Sequence, residues 1–236
     1  MTDTVYDMVI LGAGSGGYAA ALRGAQLGLR VALIEADKIG GTCLHRGCVP
    51  TKAILHSAET AEAVREAAAV GVRAAYQGLD MPAVQRYKNG VISRMYKGLQ
   101  GLVASRGIEV VGGWGRLVAR DTVEVSGRRY RGRNIVLATG SLSKTMGQEI
   151  SGPVMTSDQA LELDRVPASA VVLGGGVIGV ELASAWASMG SQVTIIEALP
   201  HLVPNEDEAI SKQLERAFRK RKPGRSEERR VGKECR

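Results

Sequence analysis

Gly12-Ala13-Gly14-Ser15-Gly16-Gly17 follows an apolar, β-branched run at residues 5–11 and opens an Ala/Leu-rich segment reaching about Leu27. A strand at residues 30–35 comes next, so the order is that of a βαβ unit. This context gives a G-x-G-x-x-G match its meaning. The first glycine makes a tight bend, the second lets backbone approach a pyrophosphate, and the third lets helix and strand pack closely. The pattern recurs later. Residues 170–173 are apolar, Gly174-Gly175-Gly176-Val177-Ile178-Gly179 is the turn, a helix runs to about Met189, and residues 192–197 form a strand. From first glycine to terminal acid the distance is 23 residues in both copies, Gly12 to Glu35 and Gly174 to Glu197.

The repeat predicts an α/β chain with two Rossmann-like dinucleotide-binding units. In each, the helix N-terminus offers N–H groups and partial positive charge to phosphates. Glu35 and Glu197 stand where a carboxylate accepts hydrogen bonds from ribose hydroxyls. An acid there repels a 2′-phosphate, so Glu197 favours NAD over NADP. Between the repeats, residues 50–70 and 82–105 read as long helices. Residues 108–130 read as an inserted β-meander with turns at Gly112-Gly113 and Ser126-Gly127. Residues 134–139 read as a buried strand ending in Ala138-Thr139-Gly140, and Gly and polar residues gather at a boundary near 144–152.

The chemistry lies in Gly40-Gly41-Thr42-Cys43-Leu44-His45-Arg46-Gly47-Cys48-Val49-Pro50-Thr51-Lys52. Four residues separate the cysteines, a loop short enough to close easily into a disulfide. Zinc is a rival reading, but one CxxxxC supplies two ligands, and His45, His56 and His201 have no paired spacing to complete four, so no metal is expected. Two buried, inert thiols are the other alternative. Cys48 falls at the start of a helix whose first turn accommodates Pro50. A helix N-terminus lowers a thiol's pKa and favours the reactive thiolate.

This stretch, with the two glycine turns, resembles the pyridine nucleotide–disulfide oxidoreductases, most closely their dihydrolipoyl dehydrogenase branch, over residues 1 to about 222. The resemblance implies FAD at the first turn (Gly12, Gly14, Gly17, Glu35), with Thr42, Lys52, Ala138, Thr139 and Gly140 as further contacts. It implies NAD at the second (Gly174, Gly176, Gly179, Glu197). Cys43 and Cys48 would form a redox-active disulfide, Cys43 exchanging with substrate and Cys48 donating charge to the flavin, with Lys52 beside the flavin's reactive nitrogen. The implied reaction oxidises dihydrolipoyl groups on the lipoyl domain of a 2-oxo acid dehydrogenase complex acyltransferase and reduces NAD. Mercuric or glutathione reductase-like enzymes and a non-catalytic flavin- or nucleotide-binding fragment are the alternatives. His45-Arg46, Val49 and Thr51 stand where many relatives have Asn-Val, Ile and Ser.

Composition narrows the field. The formal charge is +7, but only one Phe and two Trp occur and no basic–aromatic interleaving suits nucleic acid. Residues 1–7 carry two acids and no basic residue, so no signal peptide is expected. The apolar runs are too short to span a bilayer. Apart from Cys235 near the C-terminus, the cysteines are one close pair, which suits a reducing compartment, and the expected location is the cytoplasm.

Arg225 to Arg236 matches, residue for residue, a translated sequencing-library adapter, and such a segment is set aside from fold reasoning. The expected division is therefore 1–147 for the FAD domain, 148–224 for the start of a two-stranded, incomplete NAD domain, and 225–236 as artefact. A C-terminal dimerisation domain carrying a His–Glu general base has no match here. The expectation is an enzyme that is a homodimer at full length and catalytically inactive as these 236 residues alone.

Overall fold

The computed structural model describes residues 5–220 and the backbone of residues 226–230. Two compact units emerge, Met1–Pro50 with Asn89–Gln148, and Thr51–Lys88 with Glu149–Arg236. The second unit thus takes residues 51–88, which sequence alone groups with the first glycine turn.

In the first unit β1 (Val5–Leu11) leads through α1 (Ser15–Gln26) to β2 (Val31–Glu35), then to α2 (Gly41–Arg46) and the opening of α3 (Cys48–Glu66). After α4 (Met81–Ser105) come β3 (Glu109–Gly112), β4 (Gly115–Ala119), β5 (Thr122–Val125) and β6 (Arg128–Leu137). They form one six-stranded sheet in the order β3-β2-β1-β6-β5-β4. The strands β3, β2, β1 and β6 run parallel, and β5 and β4 continue antiparallel.

Alternation along the parallel strands feeds two cores. Val9, Ala32 and Ile34 join Tyr6, Val111, Val123, Val125 and Tyr130 on one face. Ile10, Val31 and Leu33 join Ala21, Val103 and Ile108 on the other. Val9, Ile10, Leu33 and Ile34 are wholly buried, and each such side chain contributes about 1.5–3 kcal/mol through removal from water. Helices cover the second face. The β4–β5 ribbon curls over the first, and glycine is needed where it closes in. A Cβ at Gly115 would sit 2.4 Å from Leu11 Cδ1, and one at Gly132 would sit 2.8 Å from Val9 Cγ2.

The meander differs from its expected extent. Glu109–Gly112 lies at the far edge of the sheet, paired in parallel with β2, and Gly112-Gly113 is a crossover rather than a hairpin turn. Residues 128–137 are one strand whose residues 128–131 pair with β5 and whose residues 131–137 pair with β1. Local patterning marks such segments as strands, but partner choice is made by long-range packing.

The second unit contains α5 (Ser157–Ala160), β7 (Ser169–Leu173), α6 (Val177–Met189), β8 (Gln192–Glu197), α7 (Glu208–Lys220) and β9 (Ser226–Arg230), with most of α3 and the start of α4. Its core surrounds α6, whose Val180, Leu182, Ala183, Ala185, Trp186, Ala187 and Met189 are all buried. Ile54 and Ala58 of α3, Met81 and Val84 of α4, Val193 and Ile195 of β8, and Phe218 of α7 pack there. Lys88 is fully buried, donating to Leu161 O (2.9 Å) and pairing with Glu162 (2.5 Å).

The sheet here has three parallel strands, β7-β8-β9, where two were expected. The third is the backbone of Ser226–Arg230, in register Val193↔Ser226 to Glu197↔Arg230. The open edge of β8 accepts extended backbone through main-chain hydrogen bonds that do not depend on side chains. The rest of 225–236, read from sequence as adapter, lies outside the described residues.

Tyr6 supplies a test of the first core. Burial, with the hydrogen bond its hydroxyl donates to Glu109 Oε2 (2.5 Å), pushes its phenol up to about 12. A raised pKa means that this stabilisation is complete below the ordinary value near 10 and is lost as pH rises through about 12. Denaturant melts across pH 9–12 should show a steeper loss of stability in the unmodified chain than in Tyr6→Phe. Identical slopes contradict the assignment.

Candidate functional site

The first glycine turn is crowded by backbone at Gly12 and Gly17. Gly12 has φ +97, and a Cβ there would lie 2.2 Å from Ala138 O. A Cβ at Gly17 would lie 1.8 Å from Gly12 O. Ala138 is anchored by its N–H to Leu11 O at 2.8 Å, and Thr139 Cα would lie 3.1 Å from a Cβ at Gly12, so the chain after β6 runs beside the turn at these two residues. Glu35 Oε2 accepts the Ala13 N–H (2.7 Å) and Oε1 accepts the Asp37 N–H (2.9 Å). The carboxylate therefore fastens the turn to the end of β2. Each of its oxygens keeps a second lone pair for a ribose hydroxyl.

The second turn repeats this wiring. Gly174 has φ +101, and a Cβ at Gly179 would lie 2.0 Å from Gly174 O. Glu197 Oε2 accepts the Gly175 N–H (2.7 Å) and Oε1 the Leu199 N–H (2.8 Å). In both units the N-cap residue, Gly14 or Gly176, is extended and makes no side-chain cap hydrogen bond. The N–H groups of each helix start are left bare of side chain, the arrangement that receives a pyrophosphate. The residues at both sites fit dinucleotides. Among the described residues no group of three His, Cys, Asp or Glu could hold a metal.

The turns differ in their surroundings. A Cβ at Gly174 or Gly176 would meet nothing within 4 Å, whereas Gly12 meets Ala138 and Gly14 faces Gly41. At Gly41, φ is +56 and a Cβ would come 2.6 Å from Gly14 Cα. The neighbouring Gly40 N–H donates to Ala13 O at 2.8 Å. These two contacts seat the cysteine loop on the first nucleotide turn.

Cys43 lies inside α2, and Cys48 is the first residue of α3. Both are thiols in the structure, Cys43 half-buried and Cys48 exposed, so the expected disulfide is not closed here. Gly47 folds the chain back between them, and a Cβ there would lie 3.3 Å from Cys43 Cα and 3.0 Å from Thr42 O. Thr42 is an exposed residue of α2. Within the second unit, Lys52 pairs with Glu181 Oε1 at 2.6 Å.

Glu181 was missed by sequence reasoning, although a signal existed. It is the one charged residue in the apolar helix VIGVELASAWASM. Further along, Ser188 Oγ donates to Glu62 Oε2 (2.7 Å) and Arg65 donates to Ser188 O (2.5 Å), so α3 and α6 are fastened at both ends.

Comparison with known proteins agrees with this geometry. Residues 6–222 match the pyridine nucleotide-disulphide oxidoreductase family. A dihydrolipoyl dehydrogenase of Bacillus subtilis is 41% identical over 233 residues, covering 92% of this chain and 49% of that protein. The mitochondrial dihydrolipoyl dehydrogenase of Pisum sativum is 38% identical, covering 91% and 44%. Among solved structures, the Cu(II) complex of the HOCl-induced flavoprotein disulfide reductase RclA from Escherichia coli superposes with TM-score 0.73 at 28% identity, over 97% of this chain and 49% of that one. The chain spans about half the length of these relatives. Two identically wired dinucleotide turns, one bearing a paired-cysteine loop, together with a family match across nearly the whole chain, mean that this protein belongs to the pyridine nucleotide-disulphide oxidoreductases.

Proposed function

We propose that the protein is a dihydrolipoyl dehydrogenase, oxidising dihydrolipoyl groups on the acyltransferase of a 2-oxo acid dehydrogenase complex and reducing NAD. The observation that carries this reading is the seating of Gly41, two residues before Cys43, on Gly14 of the first glycine turn. A thiol pair built onto a dinucleotide turn is suited to exchange electrons with what the turn holds. The shared name of the relatives, at 35–41% identity, supports the substrate class.

FAD would be held by Gly12, Gly14, Gly17, Glu35, Thr42, Lys52 and residues 138–140, and NAD by Gly174, Gly176, Gly179 and Glu197. A substrate thiolate attacks Cys43 of the disulfide, a mixed disulfide forms, and Cys48 leaves as thiolate. The second substrate thiol then attacks the mixed disulfide, closing the lipoyl disulfide and leaving Cys43 reduced. Cys48 suits the leaving role, since the N–H groups at the head of α3 stabilise a thiolate. Lys52 lies one turn further along α3, its ammonium held in place by Glu181. A bound flavin would supply the two-electron acceptor for the dithiol and the hydride donor for nicotinamide. The full-length enzyme would work as a cytoplasmic homodimer.

Anaerobic mixing of the FAD-loaded chain with excess dihydrolipoamide tests this. Flavin absorbance should bleach in the unmodified chain, a single reductive half-reaction that needs no turnover, and at least about a hundredfold more slowly in Cys43→Ser and Cys48→Ser, as expected when a covalent nucleophile is lost. Equal bleaching in all three contradicts the proposal, and bound flavin that never bleaches favours a non-catalytic binder. For the second turn, Glu197→Gln keeps an acceptor for the Gly175 N–H but removes the charge. The preference for NADH over NADPH in binding titrations should fall about tenfold, or about 1.4 kcal/mol. An unchanged ratio removes Glu197 from the specificity role.

A further inference from the structure

We infer that His45 is the positioning residue of the cysteine loop, ordering residues 39–45 around Cys43 before the disulfide with Cys48 closes. This rests on the reading of the two cysteines as a redox pair. The helix that contains Cys43, α2, has six residues, far too few to hold its shape unaided. Its start is fixed by Gly40 and Gly41 against the glycine turn, and Leu44 is buried beneath it. Its end is fixed by His45.

The His45 ring makes two contacts. Nε2 lies 3.0 Å from Ile39 O. A carbonyl oxygen can only accept, so Nε2 carries the proton and donates. The ring also stands edge-on to Tyr96 of α4, with centroids 4.9 Å apart at 75°, a favourable aromatic arrangement. The first ties the end of α2 to Ile39, two residues before its start, so that the bridged segment encloses Cys43. The neighbouring Arg46–Asp37 pair is 3.5 Å apart with both side chains more than half exposed, and such pairs contribute little. Nε2 is committed to Ile39 O.

Closing a loop costs conformational entropy. A latch that orders the Cys43 side of the loop before the sulfurs join removes part of that cost, so its loss should favour the dithiol. The relevant step couples the pair to glutathione. Cys43 and Cys48 thiols react with glutathione disulfide, the Cys43–Cys48 S–S bond forms, and the glutathione S–S bond breaks. Two molecules of reduced glutathione leave with the two protons and the two electrons.

The chain and its variants are equilibrated anaerobically in glutathione mixtures, alkylated, and the Cys43 and Cys48 peptides counted by mass. His45→Phe keeps a ring against Tyr96 but cannot donate, and it should shift the equilibrium about tenfold towards dithiol, equal to about 30 mV for this two-electron couple. His45→Gln, whose amide nitrogen reaches about as far as Nε2, should return within about twofold of the unmodified chain. Tyr96→Leu should shift in the same direction as His45→Phe, and it tests the latch even if His45→Phe does not fold. An unshifted His45→Phe or Tyr96→Leu, or a Gln variant shifted as far as Phe, overturns the latch. A chain that forms no Cys43–Cys48 disulfide at any glutathione ratio overturns the redox-pair reading itself.

Discussion

Main chain touches main chain at Gly14 and Gly41, and the candidate chemistry of the first unit depends on that approach. No side chain beyond hydrogen fits at Gly41 without displacing its neighbour, because a Cβ there would stand 2.6 Å from Gly14 Cα. The Gly40 N–H to Ala13 O hydrogen bond locks the same junction. Placing the cysteine loop therefore needs the glycine turn in place, and the turn is itself closed from below by Ala138 against Gly12. Nucleotide turn, cysteine loop and the strand return after β6 form one interdependent cluster.

The acids at the ends of β2 and β8 have a structural role beside their expected ribose contact. Each carboxylate accepts a turn N–H and a second N–H two residues along its own chain. Charge-assisted hydrogen bonds of this kind are stronger than neutral ones, and a shared offset of 22 residues gives both turns the same brace. The turns then diverge in enclosure. The first is lined by Gly41 and Ala138, while a Cβ added at Gly174 or Gly176 of the second would meet nothing within 4 Å.

Much of this was legible in the sequence, because the signals were short-range. The βαβ repeats, the helix that begins at Cys48 and the strand at residues 192–197 follow from glycine spacing, Pro50 and apolar periodicity. What was not legible depends on distant partners. The run at Glu109–Gly112 reads as a strand, yet nothing local says that it pairs with β2 rather than with β4. The grouping of α3 with α6 rests on Ile54, Ala58, Glu62 and Arg65 meeting residues more than a hundred positions away. The pairing of Lys52 with Glu181 spans 129 positions. In the sequence His45 stands out only as a departure from many relatives. Its contact with Tyr96 needed α4 to be laid beside the loop.

The most direct test compares FAD binding by calorimetry in the unmodified chain, Gly41→Ala and Gly28→Ala. Both glycines have positive φ, +56 and +79, but only Gly41 is in backbone contact, since a Cβ at Gly28 meets nothing within 4 Å. The two substitutions therefore share the conformational cost, about 1–2 kcal/mol for a left-handed non-glycine residue, and differ in the junction with Gly14. Gly28→Ala should bind FAD as the unmodified chain does, and Gly41→Ala should lose at least about tenfold in affinity, or about 1.4 kcal/mol. Equal binding by the two variants would contradict the claim that the cysteine loop and the nucleotide turn are built as one site.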